Sequence, residues 1–406
     1  MDFLEAMSVG SAERLIKERF GAYPVKTRRV SLGEALGRVC AADLAAGEDI
    51  PCFDRSTMDG YAVRSGNTGG ASESLPSLLN LVYAARMGEN VRLSLSDGEA
   101  CYVPTGAMLP GGADCVVMLE HTEKLDEHTV AVYKAAAPGS HIIRRGDDAA
   151  RGSVLVKKGE TISEFKTGIL AAAGIYAPEV YEPPRAFVIS TGDELIEAGE
   201  KMEPGKVRDV NGPVISAFLK RRGCAISGTA LVRDAARELA DTLRRAAASS
   251  DFVIISGGSS VGDKDYTYEA IKAAGAEVFI RGLSLKPGKP TIVGDAGGKA
   301  VFGLPGHPVS AAIVYKLLVD HYLDCLTSSA PARPLKAALS ENIHSSPGKL
   351  TCQPVRLAYG PDGITAEPVY GQSGLISVLS GSDGFIKIPE RAEGLNKGDP
   401  VDVFPL

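Results

Sequence analysis

The chain has 406 residues, of which 44% are hydrophobic and 23% charged, as in soluble globular proteins. This length exceeds a typical single hydrophobic core and predicts roughly two to four domains. The net charge of −6 argues against a general nucleic-acid binder, and no apolar run reaches the roughly 20 residues that a membrane helix needs.

The N-terminal sequence and the cysteines both indicate a cytoplasmic protein. The first residues, MDFLEAMSVGSAERLIKERF, do not have the pattern of a signal peptide. The seven cysteines form no CxxC pair and show no framework spacing. We therefore expect reduced, scattered thiols rather than a disulfide framework or a structural zinc site.

The first 184 residues predict two units, one inserted into the other. Residues 51–145 carry short extended runs, among them EACYVP, DCVVML and TVAVYK, separated by many turns. This pattern favours a β-rich inserted domain. Residues 1–50 and 146–184 flank the insertion and are predicted to form one discontinuous, partly helical linking domain.

Residues 185–328 alternate between strand and helix patterns. The predicted strands are RAFVIS (185–190), CAISGTALV (224–232), DFVIIS (251–256), AEVFIRGLSL (276–285) and KAVFGL (299–304). The predicted helices cover 212–223, with Asn211 as cap, 234–250, opened by Asp234, 266–275 and 309–326. This α/β alternation predicts a doubly wound domain with a parallel sheet. Residues 329–406 predict a compact C-terminal β domain.

Loops of unusual composition follow the predicted strands. They read TGDE (191–194), SGGSSVGD (256–263), KPGKP (286–290) and LPGHP (304–308). Ligands of doubly wound sheets bind outside the carboxyl ends of the strands. We therefore expect the four loops to lie on one edge of the sheet and to form the functional site.

The glycine-serine loop has two interpretations. Gly257, Gly258, Ser259 and Ser260 could form a tight turn that lets a helix pack near a strand. Alternatively, the glycines admit a close approach, and backbone N–H groups with the two hydroxyls form a cradle for phosphate oxygens. No GK[ST] sequence follows, so the loop is not a Walker A motif.

Charged residues near the same edge favour an anionic ligand and a hard metal ion. Lys286 and Lys289 lie on a proline-stiffened turn, where two close ammonium groups repel each other unless they are solvated or bind an anion. The carboxylates of Glu194, Asp234 and Asp265 are suitable Mg²⁺ ligands beside phosphate, although Asp234 alone could equally be a helix cap. We expect His307 to order the LPGHP loop rather than to act in acid–base catalysis.

Seven motifs together resemble molybdopterin molybdenumtransferase, the family of the bacterial MoeA proteins and the gephyrin E domain. They are FDRSTMDGYAVR (53–64), PTGAMLPGGADCVVM (104–118), IRRGDD (143–148), STGDEL (190–195), SGGSSVGDKDY (256–266), LKPGKP (285–290) and GLPGHPVSA (303–311). Each motif alone is weak evidence. Their occurrence in the family's order makes the match specific.

The resemblance implies a homodimer of four-domain subunits, with a molybdopterin-binding doubly wound domain and a C-terminal β-barrel-like domain. It implies Mg²⁺-dependent insertion of molybdate into adenylylated molybdopterin, with release of AMP. The active site would lie between the doubly wound domain of one subunit and the inserted domain of the other. Molybdopterin adenylyltransferase and the apoproteins of molybdoenzymes are the further partners that it suggests; a nucleic acid or a membrane is not among them.

The same resemblance assigns roles to individual residues. Asp59, Thr105 and Asp148 would face the site from the partner subunit, with the two aspartates as catalytic residues. Glu194, Asp234 and Asp265 would be catalytic carboxylates and Mg²⁺ ligands. Phosphate or molybdate would be held by Lys286 and Lys289 with the turn of Pro305 and Pro308, while Gly257, Gly258, Ser259 and Ser260 would bind substrate and Ser373 would border the site.

The chain also departs from the family's pattern. His307 stands where the family more often has asparagine, and Lys349 where it commonly has arginine. Lysine cannot reproduce a bidentate guanidinium contact. Arg281 and Gly282 precede KPGKP where some members carry a basic residue nearer the two lysines.

Two other functions fit parts of the sequence. An adenylyltransferase that builds the adenylylated pterin could use the same doubly wound domain, and it would consume ATP in the presence of molybdopterin. A non-catalytic scaffold is the second alternative, because the gephyrin E domain also anchors receptors. The retained carboxylates and lysines favour an enzyme, and the inserted domain favours metal insertion.

Overall fold

The fold is known from a computed structural model that describes residues 6–258, 266–361 and 363–406. Within these residues the central sheet has strands β1 (Arg185–Thr191), β2 (Ala225–Val232), β3 (Phe252–Gly257), β4 (Glu277–Arg281), β5 (Ile292–Asp295) and β6 (Ala300–Leu304). Their order across the sheet is β2-β1-β3-β6-β5-β4. This α/β domain confirms the predicted doubly wound fold.

One strand of the sheet corrects the prediction of an all-parallel arrangement. β2, β1, β3 and β6 are parallel to one another, whereas β5 is antiparallel to both β6 and β4. β5 was not predicted at all. It is connected to β6 by a short turn around Gly297 and Gly298, and so short a connection can join only antiparallel strands.

The predicted helices are present with small shifts at their ends. The first three cover Asn211–Arg221, Ala236–Ser249 and Tyr266–Ala273. The fourth is one continuous run made of Pro308–Val314, a π-helical segment at Tyr315–Val319, and Asp320–Thr327. Both predicted caps are wrong. Asn211 lies in the first turn of its helix, and Asp234 precedes a helix that begins only at Ala236.

The central sheet is buried on both faces. Phe252 and Ile254 of β3 pack into one hydrophobic cluster, and Val253 and Ile255 pack into the cluster on the opposite face. The N-terminal helix Val9–Phe20 contributes to the first of these clusters. A strand buried on both faces needs the nearly continuous apolar run that the sequence shows here.

The N-terminal third contains a second sheet and several short paired strands. The second sheet consists, in spatial order, of Cys115–Met118, Gly60–Val63, Glu99–Val103, Ser77–Ala84, Thr129–Val132 and Thr122–Lys124. The flanking segments pair with each other through Thr27–Arg29 with Glu179–Tyr181 and Leu44–Ala45 with Val154–Val156. Helices Leu32–Ala35 and Glu164–Ala172 accompany them. The exact domain limits remain predictions.

The C-terminal strands close into a barrel. In the described part of this region, the ring is formed by Leu350–Gly360, Gly363–Pro368, Leu335–Leu339, Pro400–Pro405 and Gly384–Ile388, which pairs back with the first strand. The barrel-like C-terminal domain is therefore confirmed. Leu285–Lys286 pairs with Leu350 and Thr351 and so attaches the KPGKP turn to the barrel. Among the described helices, none is long and apolar enough to cross a bilayer.

Candidate active site

The strand directions place the unusual loops at one edge of the central sheet. β1, β3 and β6 are parallel, so the loops after Thr191, Gly257 and Leu304 leave the sheet at the same edge. β4 points the same way as β6, because each is antiparallel to β5. The predicted common edge is therefore confirmed for the described residues. We call it the loop edge, defined by residues 191–194, 234, 257–258, 286–290 and 304–308.

Thr191 connects the loops that follow β1 and β2. Its hydroxyl donates a hydrogen bond of 2.9 Å to Oδ1 of Asp234. The backbone N–H of Asp234 donates in turn to Oδ1 of Asp193 at 3.3 Å. Asp234 is half-buried. These contacts hold its carboxylate at the loop edge and explain why it does not cap the following helix.

Glu194 presents its carboxylate to solvent at the same edge. The side chain is exposed and folds over Gly192, where an added Cβ would lie 2.8 Å from Oε2. The backbone of the loop is fixed separately, since Val207 N donates to Glu194 O at 2.9 Å. Lys206 Nζ also donates to Asp193 O at 2.7 Å. The acidic loop is therefore anchored while the Glu194 carboxylate remains accessible.

Gly257 and Gly258 adopt backbone conformations that favour glycine. Their φ angles are 106° and 63°. A Cβ on Gly257 would lie 2.1 Å from Thr191 O, and one on Gly258 would lie 2.8 Å from Thr267 Oγ1. The tight-turn interpretation requires glycine at such closely packed positions, and both residues meet this requirement. The phosphate cradle remains a prediction. The other predicted members of the loop, Ser259, Ser260, Asp263 and Asp265, lie outside the described residues.

Asn211 is a site residue to which the sequence analysis gave only a capping role. Its buried Nδ2 donates to Ser256 Oγ at 2.9 Å and to Gly306 O at 2.7 Å. It therefore ties the end of β3 to the LPGHP loop. The capping oxygen comes instead from Asp209, whose Oδ1 accepts from Gly212 N at 3.0 Å. The three-residue spacing of Asp209 and Gly212 is that of a helix cap, and this signal could have corrected the assignment.

The LPGHP loop is in contact with the C-terminal domain. Pro305 and Pro308 are buried, and Pro308 begins the helix that follows. His307 Nδ1 lies 2.8 Å from Ser373 Oγ, and Val309 N donates to Ser373 O at 3.1 Å. Ser373 therefore borders the loop edge, as the resemblance implied. One of its two contacts comes from His307, the residue that stands where the family more often has asparagine.

The two lysines of KPGKP are exposed on a turn that is itself well packed. Gly288 has a φ of 124°, and an added Cβ would lie 2.7 Å from Val314 of the LPGHP helix. Lys349, the second departure, immediately precedes the barrel strand that pairs with Leu285 and Lys286. The Arg281 side chain packs on Tyr268, with its guanidinium carbon 3.8 Å from the ring centre.

The N-terminal motifs meet at a second place, which we call the insertion corner: Asp49, Asp54, Ser56, Asp59, Thr105, Arg145 and Asp148. Asp59 Oδ1 accepts from the backbone N–H of Thr105 at 2.6 Å. Asp54 Oδ1 accepts from the N–H of Arg145 at 2.8 Å. Asp148 is exposed, and its N–H donates to Ile50 O at 2.9 Å. Motifs about 90 positions apart in the chain thus form one acidic surface.

Asp49 fixes the RRGDD segment within this corner. Its two carboxylate oxygens accept from Arg151 N at 2.8 Å and from Arg145 Nε at 2.6 Å. These hydrogen bonds, first from the backbone of Arg151 and then from the Arg145 side chain, lower the pKa of the Asp49 carboxyl. Asp49 is therefore an ionised anchor at neutral pH.

The structure does not unite the two groups of residues within one chain. Between the residues that it describes, no hydrogen bond or ion pair joins the insertion corner to the loop edge. The described residues also contain no group of three or more His, Cys, Asp or Glu that could hold a metal ion. Glu194 and Asp234 are two described carboxylates at the loop edge, and further oxygen ligands would have to come from Asp265, from the substrate or from water.

Comparison with known proteins covers nearly the whole chain. Residues 7–174 match the MoeA N-terminal region (domain I and II), residues 187–324 match a probable molybdopterin binding domain, and residues 336–406 match the MoeA C-terminal region (domain IV). These matches follow the order of the inserted sheet, the central sheet and the barrel.

Individual proteins are similar over the same extent. A Methanocaldococcus jannaschii protein assigned provisionally to molybdopterin biosynthesis is 34% identical, covering 98% of each chain. The molybdopterin molybdenumtransferase of Staphylococcus epidermidis is 31% identical, covering 94% of this chain and 91% of its own. The crystal structure of the molybdopterin biosynthesis MoeA protein from Pyrococcus horikosii is 34% identical and has a TM-score of 0.80, with 98% of both chains covered.

Proposed function

The chain belongs to the MoeA family of molybdopterin molybdenumtransferases, enzymes of molybdenum cofactor biosynthesis, and we propose that it performs Mg²⁺-dependent insertion of molybdate into adenylylated molybdopterin with release of AMP. The observation that carries this proposal is the loop edge. It combines exposed lysines, exposed and half-buried carboxylates, and close-packed glycine backbone along one row of strand ends.

The length of this row suits an elongated substrate. Asp234 follows β2 at one side of the sheet, and the turn of Lys286 and Lys289 follows β4 at the other. Five inter-strand spacings at about 4.8 Å each separate those strands by about 24 Å. A molecule with a nucleotide at one end and a pterin at the other can extend along such a row. The lysines then neutralise phosphate or molybdate oxygens, while the strand-end backbone supplies N–H donors.

The described carboxylates suit Mg²⁺. Mg²⁺ binds through one or two carboxylates together with substrate phosphates and water, and Glu194 and Asp234 provide two such groups at the loop edge. When bound there, Mg²⁺ would neutralise charge on the phosphoanhydride. The contact from Thr191 orients Asp234 for this role. The chemistry of the donors therefore fits the ion.

The proposed reaction transfers no electrons. An oxygen atom of molybdate, or of a neighbouring water, attacks the adenylyl phosphorus. The bond from that phosphorus to the oxygen shared with the pterin phosphate breaks. In the molybdate route the Mo–O bond of the attacking oxygen then breaks, and this oxygen leaves within AMP. In the water route the attacking water passes a proton to the released pterin phosphate, and AMP leaves directly. The two dithiolene thiols bind molybdenum and release their protons, which leave with one oxide ligand as water. In ¹⁸O-labelled water, absence of label from the AMP would exclude direct attack by water.

We further propose a homodimer in which the insertion corner of one subunit completes the loop edge of the other. Asp59, Thr105 and Asp148 are grouped on an exposed acidic surface, yet between described residues no hydrogen bond or ion pair connects them to their own loop edge. A second copy is the simplest source of a complementary edge, since most soluble oligomers are symmetric homodimers.

Complementation between inactive variants tests this arrangement. Asp59→Ala and Lys289→Ala should each abolish molybdate-dependent AMP release without unfolding the protein. When the two variants are co-expressed, a mixed dimer has one site with both changes and one site with neither. Random pairing in a twofold dimer then restores about a quarter of wild-type activity.

The outcomes separate the parts of the proposal. Full inactivity of the mixture would contradict a site shared between subunits, although not the chemistry. Normal turnover of both single variants would contradict the assigned site. Consumption of ATP with molybdopterin, without molybdate-dependent AMP release, would identify an adenylyltransferase instead.

A further inference from the structure

A basic cavity of about 710 Å³ lies between the flanking N-terminal segments and the central domain. Its basic side chains include Arg38, Lys157, Lys158, Lys166, Lys220 and Arg221, together with Arg222. The acidic side chains in the same wall are Glu160 and Glu182. An excess of positive charge is therefore concentrated here, in a chain whose net charge is −6.

Only some of these cations are neutralised by the protein. Lys166 pairs with Glu160 at 2.8 Å, and Arg222 pairs with Asp324 and, at 3.5 Å, with Asp320. Lys157, Lys158 and Lys220 form no ion pair with any described residue. Like charges that share one cavity repel each other unless an anion or solvent lies between them.

Arg38 also lines this cavity and carries a group without a partner in the described part of the chain. Its Nη1 is buried and has no hydrogen-bond partner among the described residues. A buried N–H without an acceptor is costly, and turning this guanidinium toward a bound anion would give it one. Tyr181, Pro183 and Pro184 line the same cavity and contribute ring carbons to the wall that carries the cations.

The cavity lies at the opposite edge of the central sheet from the loop edge. Pro184 immediately precedes β1, and Gly223 and Cys224 immediately precede β2. These are the amino ends of parallel strands whose carboxyl ends form the loop edge. The first and last of the seven residues of β1 are separated by six steps of roughly 3.3 Å, or about 20 Å. The cavity is therefore separate from the proposed active site.

The two walls of the cavity are in tight contact at its base. Gly159 has a φ of 83°, and an added Cβ would lie 2.0 Å from Ser328 O. Gly159 lies in the flanking segment after Val154–Val156, and Ser328 ends the helix Asp320–Thr327. A molecule bound above this contact would touch both units.

We propose that this cavity binds a small organic anion with several phosphate groups, of about the size of a mononucleotide. The volume lies within the range of about 300–1,000 Å³ usual for small-molecule sites. The lysines would neutralise the phosphates, Arg38 would donate to a phosphate oxygen, and Tyr181 with the prolines would contact the organic part. The proposal does not depend on the reaction at the loop edge.

Titration calorimetry with ATP and with inorganic triphosphate tests the site. The starting protein carries Lys286→Ala and Lys289→Ala, which removes the lysines at the loop edge. We expect one saturable site per chain, with affinity that falls as salt rises. Adding Lys157→Glu and Lys158→Glu should weaken binding by about tenfold or more. Adding Lys124→Glu and Lys397→Glu, two exposed lysines outside the cavity wall, should leave it unchanged.

Other results would overturn the proposal. These are no saturable binding of either phosphate to the starting protein, or equal binding by the cavity variant and the control variant. Binding of a hexaglutamate peptide but of neither phosphate would assign the cavity to an acidic protein segment. The melting temperature of each variant without ligand shows whether it is folded. Should Lys157→Glu with Lys158→Glu fail to fold, Lys220→Glu on the opposite wall provides the same comparison.

Discussion

Thr191 and Asp234 are joined by a hydrogen bond of 2.9 Å across 43 positions of the chain. Thr191 is the last residue of β1, and Asp234 lies just beyond β2. A buried hydroxyl at a strand end thus fixes one oxygen of a carboxylate that the proposed reaction uses. This makes Thr191 a positioning residue for Asp234.

Replacing Thr191 with valine should lower molybdate-dependent AMP release. Valine preserves the shape of the side chain but cannot donate to Asp234, so we expect a loss of about tenfold to a hundredfold. The double variant with Asp234→Asn should be no less active than Asp234→Asn alone, because the two residues act as a unit. Additive losses would contradict the positioning role. Thr229→Val, on an exposed part of β2, serves as the matched control.

Replacing Asn211 with alanine should destabilise the central domain. The change removes both donated hydrogen bonds and leaves the carbonyl of Gly306 and the buried hydroxyl of Ser256 without this partner, at a cost of about 1–3 kcal/mol. Denaturant unfolding followed by tyrosine fluorescence measures the shift. Asn342→Ala removes an exposed asparagine that accepts from Lys397 N, and it should cost less. Equal losses in the free energy of unfolding for the two variants would show that the hydrogen bonds of Asn211 contribute little to stability.

The sequence predicts the central sheet well because its signals are local. A continuous apolar run such as residues 252–256 identifies a strand buried on both faces. A loop rich in glycine and proline marks its end. Once four strands are known to be parallel, topology alone places the loops after them on one edge. The common position of Glu194, Gly257 and Pro305 therefore follows from the pattern.

The side-chain contacts that complete the site are not local, and the sequence could not predict them. Asn211 looks like a cap because it precedes a proline-containing helical segment, but its partners lie 45 and 95 positions away. The β5 strand is four residues long and follows a proline-rich turn, so its pattern is too short to identify. The basic cavity combines segments around residues 38, 157 and 220, which only the folded chain brings together.

Replacing Gly257 with alanine should be severely destabilising. A Cβ at this position would collide with Thr191 O at 2.1 Å, and the φ of 106° is unfavourable for alanine. Backbone strain of this kind costs about 1–3 kcal/mol before the collision is counted.

Gly168→Ala is the matched control. It lies within the helix Glu164–Ala172 with nothing within 4 Å, so alanine there should stabilise by about 0.5–1 kcal/mol. Thermal unfolding of both variants should show shifts of opposite sign, and a Gly257→Ala protein as stable as wild type would contradict the described backbone.

Replacing Asp49 with asparagine should make stability less dependent on pH in the acidic range. The carboxyl of Asp49 has a lowered pKa in the folded chain because of the bonds from Arg151 and Arg145. Its contribution is therefore complete above the unfolded value of about 3.9 and is lost as pH falls through the lower folded pKa. Wild type should melt at a higher temperature than Asp49→Asn at neutral pH, and the two should converge below about pH 4.

Asp97→Asn breaks only an exposed ion pair with Arg64 and should differ little from wild type. A difference between wild type and Asp49→Asn that stays constant from neutral to acidic pH would show that the ionised carboxylate does not anchor the RRGDD segment.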